Sequence, residues 1–223
     1  MRVESADVEV LRALLIDAGW KLSVSLSVTQ IDLLLRFVAL LARWNSTYNL
    51  TSVRAPAAML SQHVIDCLAV IQPLRRQTLT QLSPLKLLDV GSGGGFPGIV
   101  IAVMCPDIQV VCVDTVGKKV AFVRQVAAEL ALRNLSAQQC RVEALKIGEF
   151  DVVTSRAFAS LSDFTAATLQ QLTPSGVWMA MKGRVPDIEI NNLRSDVNVF
   201  HVEQLEVPAL EAERCLVWMA PNR

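Results

Sequence analysis

The sequence predicts an α/β fold: a mostly parallel seven-stranded sheet with an antiparallel edge and helices on both faces, preceded by a helical extension. Three observations carry this. From residue 85 onward, short β-rich runs alternate with helical patterns, the signature of strands joined by crossover helices. The glycine-rich stretch "GSGGGFPG" lies between an apolar strand and an apolar helix start, the turn at which open parallel sheets bind ligands. The first 80 residues have helical periodicity instead.

In chain order, Ser27-Val28-Thr29-Gln30 fits a capping box, and Ile31, Leu34, Leu35, Val38 and Leu41 then recur at three- and four-residue steps. A second helix begins at Pro56, a favoured first helical position, with Met59, Leu60, Val64, Cys67, Leu68 and Ile71 on one side. Between the two lies the polar connection "RWNSTYNLTSVR". Strands are predicted over 85–90, 108–113, 136–142, 150–154 and 176–182, and helices near 97–104, 117–131 and 160–172. Two closing runs of alternating polarity, 198–207 and 213–220, are expected to pair as the antiparallel edge. The texture changes at about residue 80 without a flexible linker. The expected organisation is therefore residues 1–80 as a helical extension packed on the core and 81–223 as the sheet domain.

Composition limits the function. A chain of 223 residues that is 52% hydrophobic is long enough to bury a sizeable core. Lys+Arg and Asp+Glu both number 21, so no global field announces a polyanionic partner, although a local basic patch remains compatible with zero net charge. Segment 185–223 holds 7 acids against 3 bases and reads as structural support rather than a nucleic-acid face. The five cysteines, Cys67, Cys105, Cys112, Cys140 and Cys215, are scattered among apolar residues without a C-x-x-C pair and read as reduced core thiols. With only His63 and His201 available, no metal site is expected. The start lacks the basic-then-apolar order of a signal peptide, and the run from Val90 to Pro106 is too short and too rich in glycine and proline to span a bilayer. The expected location is the cytoplasm, with no membrane partner.

The glycine loop carries the chemistry. Gly93-x-Gly95-x-x-Gly98 satisfies a dinucleotide fingerprint read literally, but Asp89 stands two residues before Gly91 and would repel a diphosphate. Pro97 also removes an N–H from the helix start where a phosphate would want every donor. Asp89-x-Gly91-x-Gly93-x-Gly95 is instead similar to the first motif of S-adenosylmethionine-dependent methyltransferases, whose cofactor carries an ammonium and a sulfonium. Asp114 ends the second strand, where an acid reaches ribose hydroxyls in this Rossmann-like class. Val142 and Glu143 are expected at the end of the third strand, near the adenine.

The segments "RWNSTYNLTSVR", "DVGSGGGFPG", "DTVGKKVAFVRQVAAEL", "SRAFASL", "MKG" and "VPALEAERCLV" together resemble the bacterial glucose-inhibited division protein B family, guanine-N7 methyltransferases of 16S ribosomal RNA. The resemblance runs from about residue 27 to the C-terminus. It implies a class I methyltransferase fold, S-adenosyl-L-methionine as methyl donor, and cofactor contacts at Gly91, Phe96, Val142, Glu143 and Arg156. Ser92 and Gly94 depart from the threonine and proline common in the family loop.

The acceptor is constrained by what is missing. The chain lacks the Pro-Pro-aromatic motif of exocyclic-amine enzymes after its fourth strand and the Pro-Cys nucleophile of C5-cytosine enzymes. Guanine N7 already carries a free lone pair and needs alignment only. Arg156, in "SRAFAS" after the fourth strand, is therefore assigned a positioning role with no general base. An ion pair between Arg156 and Glu143 is the structural alternative. Lys118 and Lys119 oppose the dipole of a helix whose apolar stripe is Val116, Val120, Val123, Ala127 and Leu130, a position that calls for a compensating partner. With Arg54, Arg156 and Lys182 they form the expected RNA-phosphate set. Trp44 and Tyr48 are expected to pack between helices, and His63 to be a buried, non-catalytic histidine. The expected partner is 16S ribosomal RNA or a small-subunit precursor. A non-catalytic RNA- or ribosome-binding module and a nicotinamide dehydrogenase stay open as alternatives.

Overall fold

The computed structural model describes residues 5–78, 84–156, 158 and 160–222. Helix α1 (Ser5–Lys21) escapes the periodicity analysis. It buries Leu11, Leu15 and Ala18 but leaves Val10, Ile16 and Trp20 exposed, so its apolar residues do not form one stripe. Helix α2 (Val28–Tyr48) starts at the expected capping box, with Gln30 N–H donating to Ser27 Oγ at 3.2 Å. All five of its expected core positions are buried, together with Phe37 and Leu40.

The helix expected from Pro56 exists in pieces: α3 (Pro56–Met59), a π-helical turn over Leu60–Ile65, α4 (Asp66–Leu68) and α5 (Ile71–Thr78). All six positions assigned to its inner side are buried. The stretch Pro56–Thr78 is apolar enough to cross a membrane by composition alone, but its most apolar window is 67% buried within the fold, which accounts for its hydropathy. The expected boundary near residue 80 lies outside the described residues.

Strands β1 (Lys86–Val90), β2 (Gln109–Asp114), β3 (Leu135–Gln139), β4 (Phe150–Ser155), β5 (Leu172–Lys182), β6 (Val197–Leu205) and β7 (Arg214–Pro221) form one sheet in the order β3-β2-β1-β4-β5-β7-β6. The first five are parallel, and β7 runs antiparallel to both β5 and β6. The chain leaves β1 toward β2 and β3 on one side and returns as β4 on the other. That reversal opens a crevice at the carboxyl ends of β1 and β4.

Crossovers are α6 (Gly98–Met104), α7 (Gly117–Glu129) and α8 (Leu161–Thr168), with a short α9 (Asp187–Asn191) before the edge hairpin. Period-two alternation sorts the sheet into two faces. Leu87, Val110, Cys112, Val152, Met179 and Trp218 meet the N-terminal helices, α6 and α7. Leu88, Val90, Val113, Val153, Trp178 and Val217 meet α8 and the segment after β3. Every residue of α6 is buried, because it lies between the sheet and the N-terminal helices.

Three expectations need correction. Strand β3 stops at Gln139, and Val142–Ala144 form a 3-10 turn, so Val142 and Glu143 stand beyond the strand. Val116 is not in the α7 stripe but is its 36% exposed N-cap, and Phe122 and Val126 supply the buried contacts instead. Strand β5 begins at Leu172, four residues early, because the helix before it ends in a 3-10 turn at Leu169–Gln171.

Candidate active site

The glycine loop leaves β1 at the crevice. Gly91 N–H donates to Val113 O at 2.8 Å, tying the turn to the end of β2. Gly91, Gly93 and Gly95 have φ of +68°, +57° and +86°, a left-handed region that side chains disfavour. A Cβ on Gly91 would meet nothing within 4 Å, and one on Gly93 only Gly91 O at 4.0 Å, so these two glycines border open space. Gly95 differs: its Cβ would fall 2.2 Å from Ile99 Cδ1 and 3.3 Å from Val123 Cγ2. Its glycine is required by packing of α6 and α7 rather than by an adjacent ligand.

Asp89 is fully buried behind this loop. Its Oδ2 accepts from Gly98 N–H at 2.8 Å and lies 3.9 Å from Cys112 Sγ, while Oδ1 has no hydrogen-bond partner among the described residues. Burial pushes its pKa up to about 7, against the lowering influence of the Gly98 N–H and the charge of Arg156. Asp114, at the end of β2, spends one oxygen on Gly93 N–H at 3.0 Å and the other on Val116 N–H at 2.9 Å. It thereby fixes both the loop and the start of α7.

Phe96 joins the loop to a second cleft. Its buried ring packs on Phe37 at 5.2 Å and on His63 at 4.9 Å, and the Arg156 guanidinium stands over it at 5.0 Å. Arg156 pairs with Asp66 at 3.3 Å. The expected alternative partner Glu143 is exposed and forms no ion pair among the described residues, so that pairing is corrected to Asp66. Asp66 is 2% exposed and also binds Arg214 Nε at 2.7 Å. Together with His63, Lys182 and neighbours, these residues line a cleft of about 430 Å³.

The polar connection shapes that cleft. Buried Asn45 accepts from Thr51 N–H at 2.8 Å and donates to Val53 O at 2.9 Å, folding the chain back on α2. Thr51 Oγ1 then meets His63 Nε2 at 2.8 Å. His63 lies in the π-helical turn, a distortion frequent at functional sites. It lines the cleft rather than being buried, and desolvation, with the charge of Arg156, holds its pKa down to about 4.

The basic set divides. Lys119 stands 3.7 Å from Asp114, which supplies the partner its place at a helix N-terminus demands. Lys182 is paired with Glu189 of α9 at 2.8 Å. Both therefore have carboxylate partners within the fold, unlike Lys118. Lys118 is exposed and without an ion pair among the described residues. Exposed Arg54 donates to Asn49 Oδ1 at 2.8 Å. Trp44 packs on Phe122 at 5.5 Å as expected, whereas Tyr48, at the end of α2, rests on Trp44 at 5.1 Å and is exposed rather than packed between helices.

Sequence reasoning missed Asp66 and Arg214. The available signal was Asp66 itself, a lone acid inside the apolar stretch "HVIDCLAVI". Arg214 was hidden by the acidic composition of its segment.

Comparison with known proteins gives consistent matches. The family model for rRNA small subunit methyltransferase G matches residues 30–217. The chain is 56% identical over 211 residues to a ribosomal RNA small subunit methyltransferase G from Leptothrix cholodnii, covering 95% of this chain and 96% of the relative. Its counterpart from Methylibium petroleiphilum is 54% identical over 219 residues, covering 98% of each. Among solved structures, TrmN from Thermus thermophilus aligns with a TM-score of 0.56 at 17% identity, over 73% of this chain and 53% of that one. Ribosomal protein L11 methylase from Lactobacillus delbrueckii subsp. bulgaricus aligns with a TM-score of 0.54 at 16% identity, over 73% and 79%. These two likenesses concern the fold alone, the Rossmann-like arrangement of class I methyltransferases.

Proposed function

This chain belongs to the rRNA small subunit methyltransferase G family, and from that premise we propose that it methylates guanine N7 of 16S ribosomal RNA with S-adenosyl-L-methionine as donor. The observation that carries the reading is the open backbone curve at Gly91 and Gly93, joined through Phe96 to the cleft of Arg156. In this reading residues 81–223 are the methyltransferase domain and 1–80 an extension that walls the cleft. The substrate is 16S RNA or a small-subunit precursor in the cytoplasm.

The residues present fit the cofactor. Space lies beside Gly91 and Gly93, and buried Asp89 keeps an unpartnered carboxylate oxygen behind the loop. Gly91, Gly93, Phe96, Asp114, Val142, Glu143 and Arg156 would hold the cofactor, with Asp89 and Gly95 fixing the loop from behind. When bound, S-adenosyl-L-methionine supplies a methyl group on a positively charged sulfur.

The protein's own contribution is alignment. Guanine N7 has a free lone pair and carries no proton at neutral pH, so no base has to act on it. Holding acceptor and donor in line supplies up to roughly 7–11 kcal/mol of barrier reduction. Arg156 suits this task because Asp66 and the Phe96 ring restrain its guanidinium. His63, with a pKa near about 4, is uncharged at neutral pH and supplies no proton.

Borohydride followed by aniline cleaves RNA at N7-methylguanosine, so labelled methyl groups transferred by the protein should coincide with cleavage. Labelled but uncleavable RNA would assign the methyl group to another atom and end the N7 reading.

A further inference from the structure

We infer that Arg214 binds a phosphate of the RNA substrate in the cleft it shares with Arg156. The inference rests on the RNA-methylation reading above and adds a contact that neither the sequence pattern nor the glycine loop supplies. Its basis is an imbalance of charge. Asp66 is one buried carboxylate serving two guanidiniums, Arg214 at 2.7 Å and Arg156 at 3.3 Å. Two cations against one anion leave one positive charge (2 − 1 = 1) in a partly enclosed cleft.

Neighbouring groups offset it only in part: Asp89 feels the charge of Arg156, but its pKa of about 7 leaves it incompletely ionised at neutral pH. Lys182 is matched by Glu189 at 2.8 Å, and Glu213 offers Arg214 only its backbone carbonyl, at 2.8 Å from Nη1. His63, held down to a pKa of about 4 chiefly by burial, is uncharged at neutral pH and offers the excess no anion.

The geometry separates the two arginines. Arg156 lies over Phe96 and so adjoins the glycine loop, whereas Arg214 comes from the start of β7 and is held by Asp66 and the Glu213 carbonyl. Arg214 Nε goes to Asp66 and Nη1 to the Glu213 carbonyl, while Nη2 has no hydrogen bond among the described residues. The side chain is 25% exposed, held by a buried acid yet open to the cleft. A phosphodiester carries one negative charge and oxygens that match the guanidinium fork. The cofactor's carboxylate is the other anion that this charge attracts, and the test separates the two.

The test compares wild type, R214Q and R214K. Calorimetry gives S-adenosyl-L-methionine affinity, and binding of unmethylated 16S RNA is measured across a salt series. R214Q should weaken RNA binding by about tenfold and reduce the slope of log affinity against log salt by roughly 0.7–0.9, one phosphate contact, with cofactor affinity within about twofold of wild type. R214K should retain most of the slope, because it keeps the charge. Should R214Q fail to fold, R214M, which keeps the length of the side chain without its charge and leaves the Asp66–Arg156 pair in place, is judged by the same criteria. An unchanged slope in a folded variant overturns the inference, as does a loss of cofactor affinity equal to the loss for RNA. Failure of the wild type to methylate RNA would instead sink the functional reading, which the salt slope does not test.

Discussion

The N–H of Gly98 donates to Oδ2 of Asp89 at 2.8 Å, and a Cβ at residue 98 would sit 2.8 Å from that same oxygen. The start of α6 therefore rests directly on a buried carboxylate at the end of β1. Asp89 holds the base of the glycine loop, and burial pushes its pKa up to about 7 against the lowering influence of the Gly98 N–H.

This makes stability depend on pH in a definite direction. The unfolded chain loses the Asp89 proton near the ordinary carboxyl value of 3.8, while the folded chain keeps it to about 7. Between those values the folded state binds more protons, so the contribution is present at pH 4 and is lost as pH rises through 7. Asp89→Asn keeps an acceptor for Gly98 and removes the titration. Melting temperatures of the variant and wild type should diverge in the variant's favour between pH 5 and pH 8. A constant difference would mean that Asp89 titrates normally.

The loop glycines should separate by function. Gly95→Val meets Ile99 and Val123, and overpacking plus left-handed strain should cost about 2–4 kcal/mol, lowering the melting temperature by ~5–15 °C. Gly93→Ala carries only the strain of its φ, about 1–2 kcal/mol, yet should lose cofactor affinity more than tenfold. Calorimetry beside thermal melts distinguishes them; equal losses of binding and stability in both variants would refute the distinction.

Arg156→Ala should abolish most methyl transfer while the fold persists. It should also raise the His63 pKa from about 4 toward its ordinary value without reaching it, since burial is the larger cause and Arg156 the next. An NMR titration of the His63 ring reads this directly. An unmoved pKa would deny the electrostatic coupling across the cleft.

Lys118 and Lys119 should not behave alike. Lys118→Ala should flatten the salt dependence of RNA binding and leave the cofactor untouched. Lys119→Ala should weaken cofactor binding a few-fold, because its partner Asp114 holds Gly93 N–H and Val116 N–H. The same effect from both substitutions would return the pair to one basic face.

The sequence by itself determined the seven strands, the α6 and α7 crossovers, and the glycine loop at the end of β1. Those features repeat over two to four residues or lie on consecutive positions, so burial periodicity and backbone need write them into neighbouring letters. Asp89 and Asp114 were legible as acids at strand ends for the same reason. Only the tertiary structure decided who meets whom. Asp66 is separated from Arg156 by 90 residues and from Arg214 by 148, and their pairing exists because the N-terminal helices close over the sheet edge where β4 and β7 present their ends. Local folding of the sheet domain set the nearer contacts, Lys119 with Asp114, Lys182 with Glu189 and Gly95 against Ile99. Charge and spacing along a chain fix what a residue is able to do; the low-dielectric contacts made on folding select the partner with which it does it.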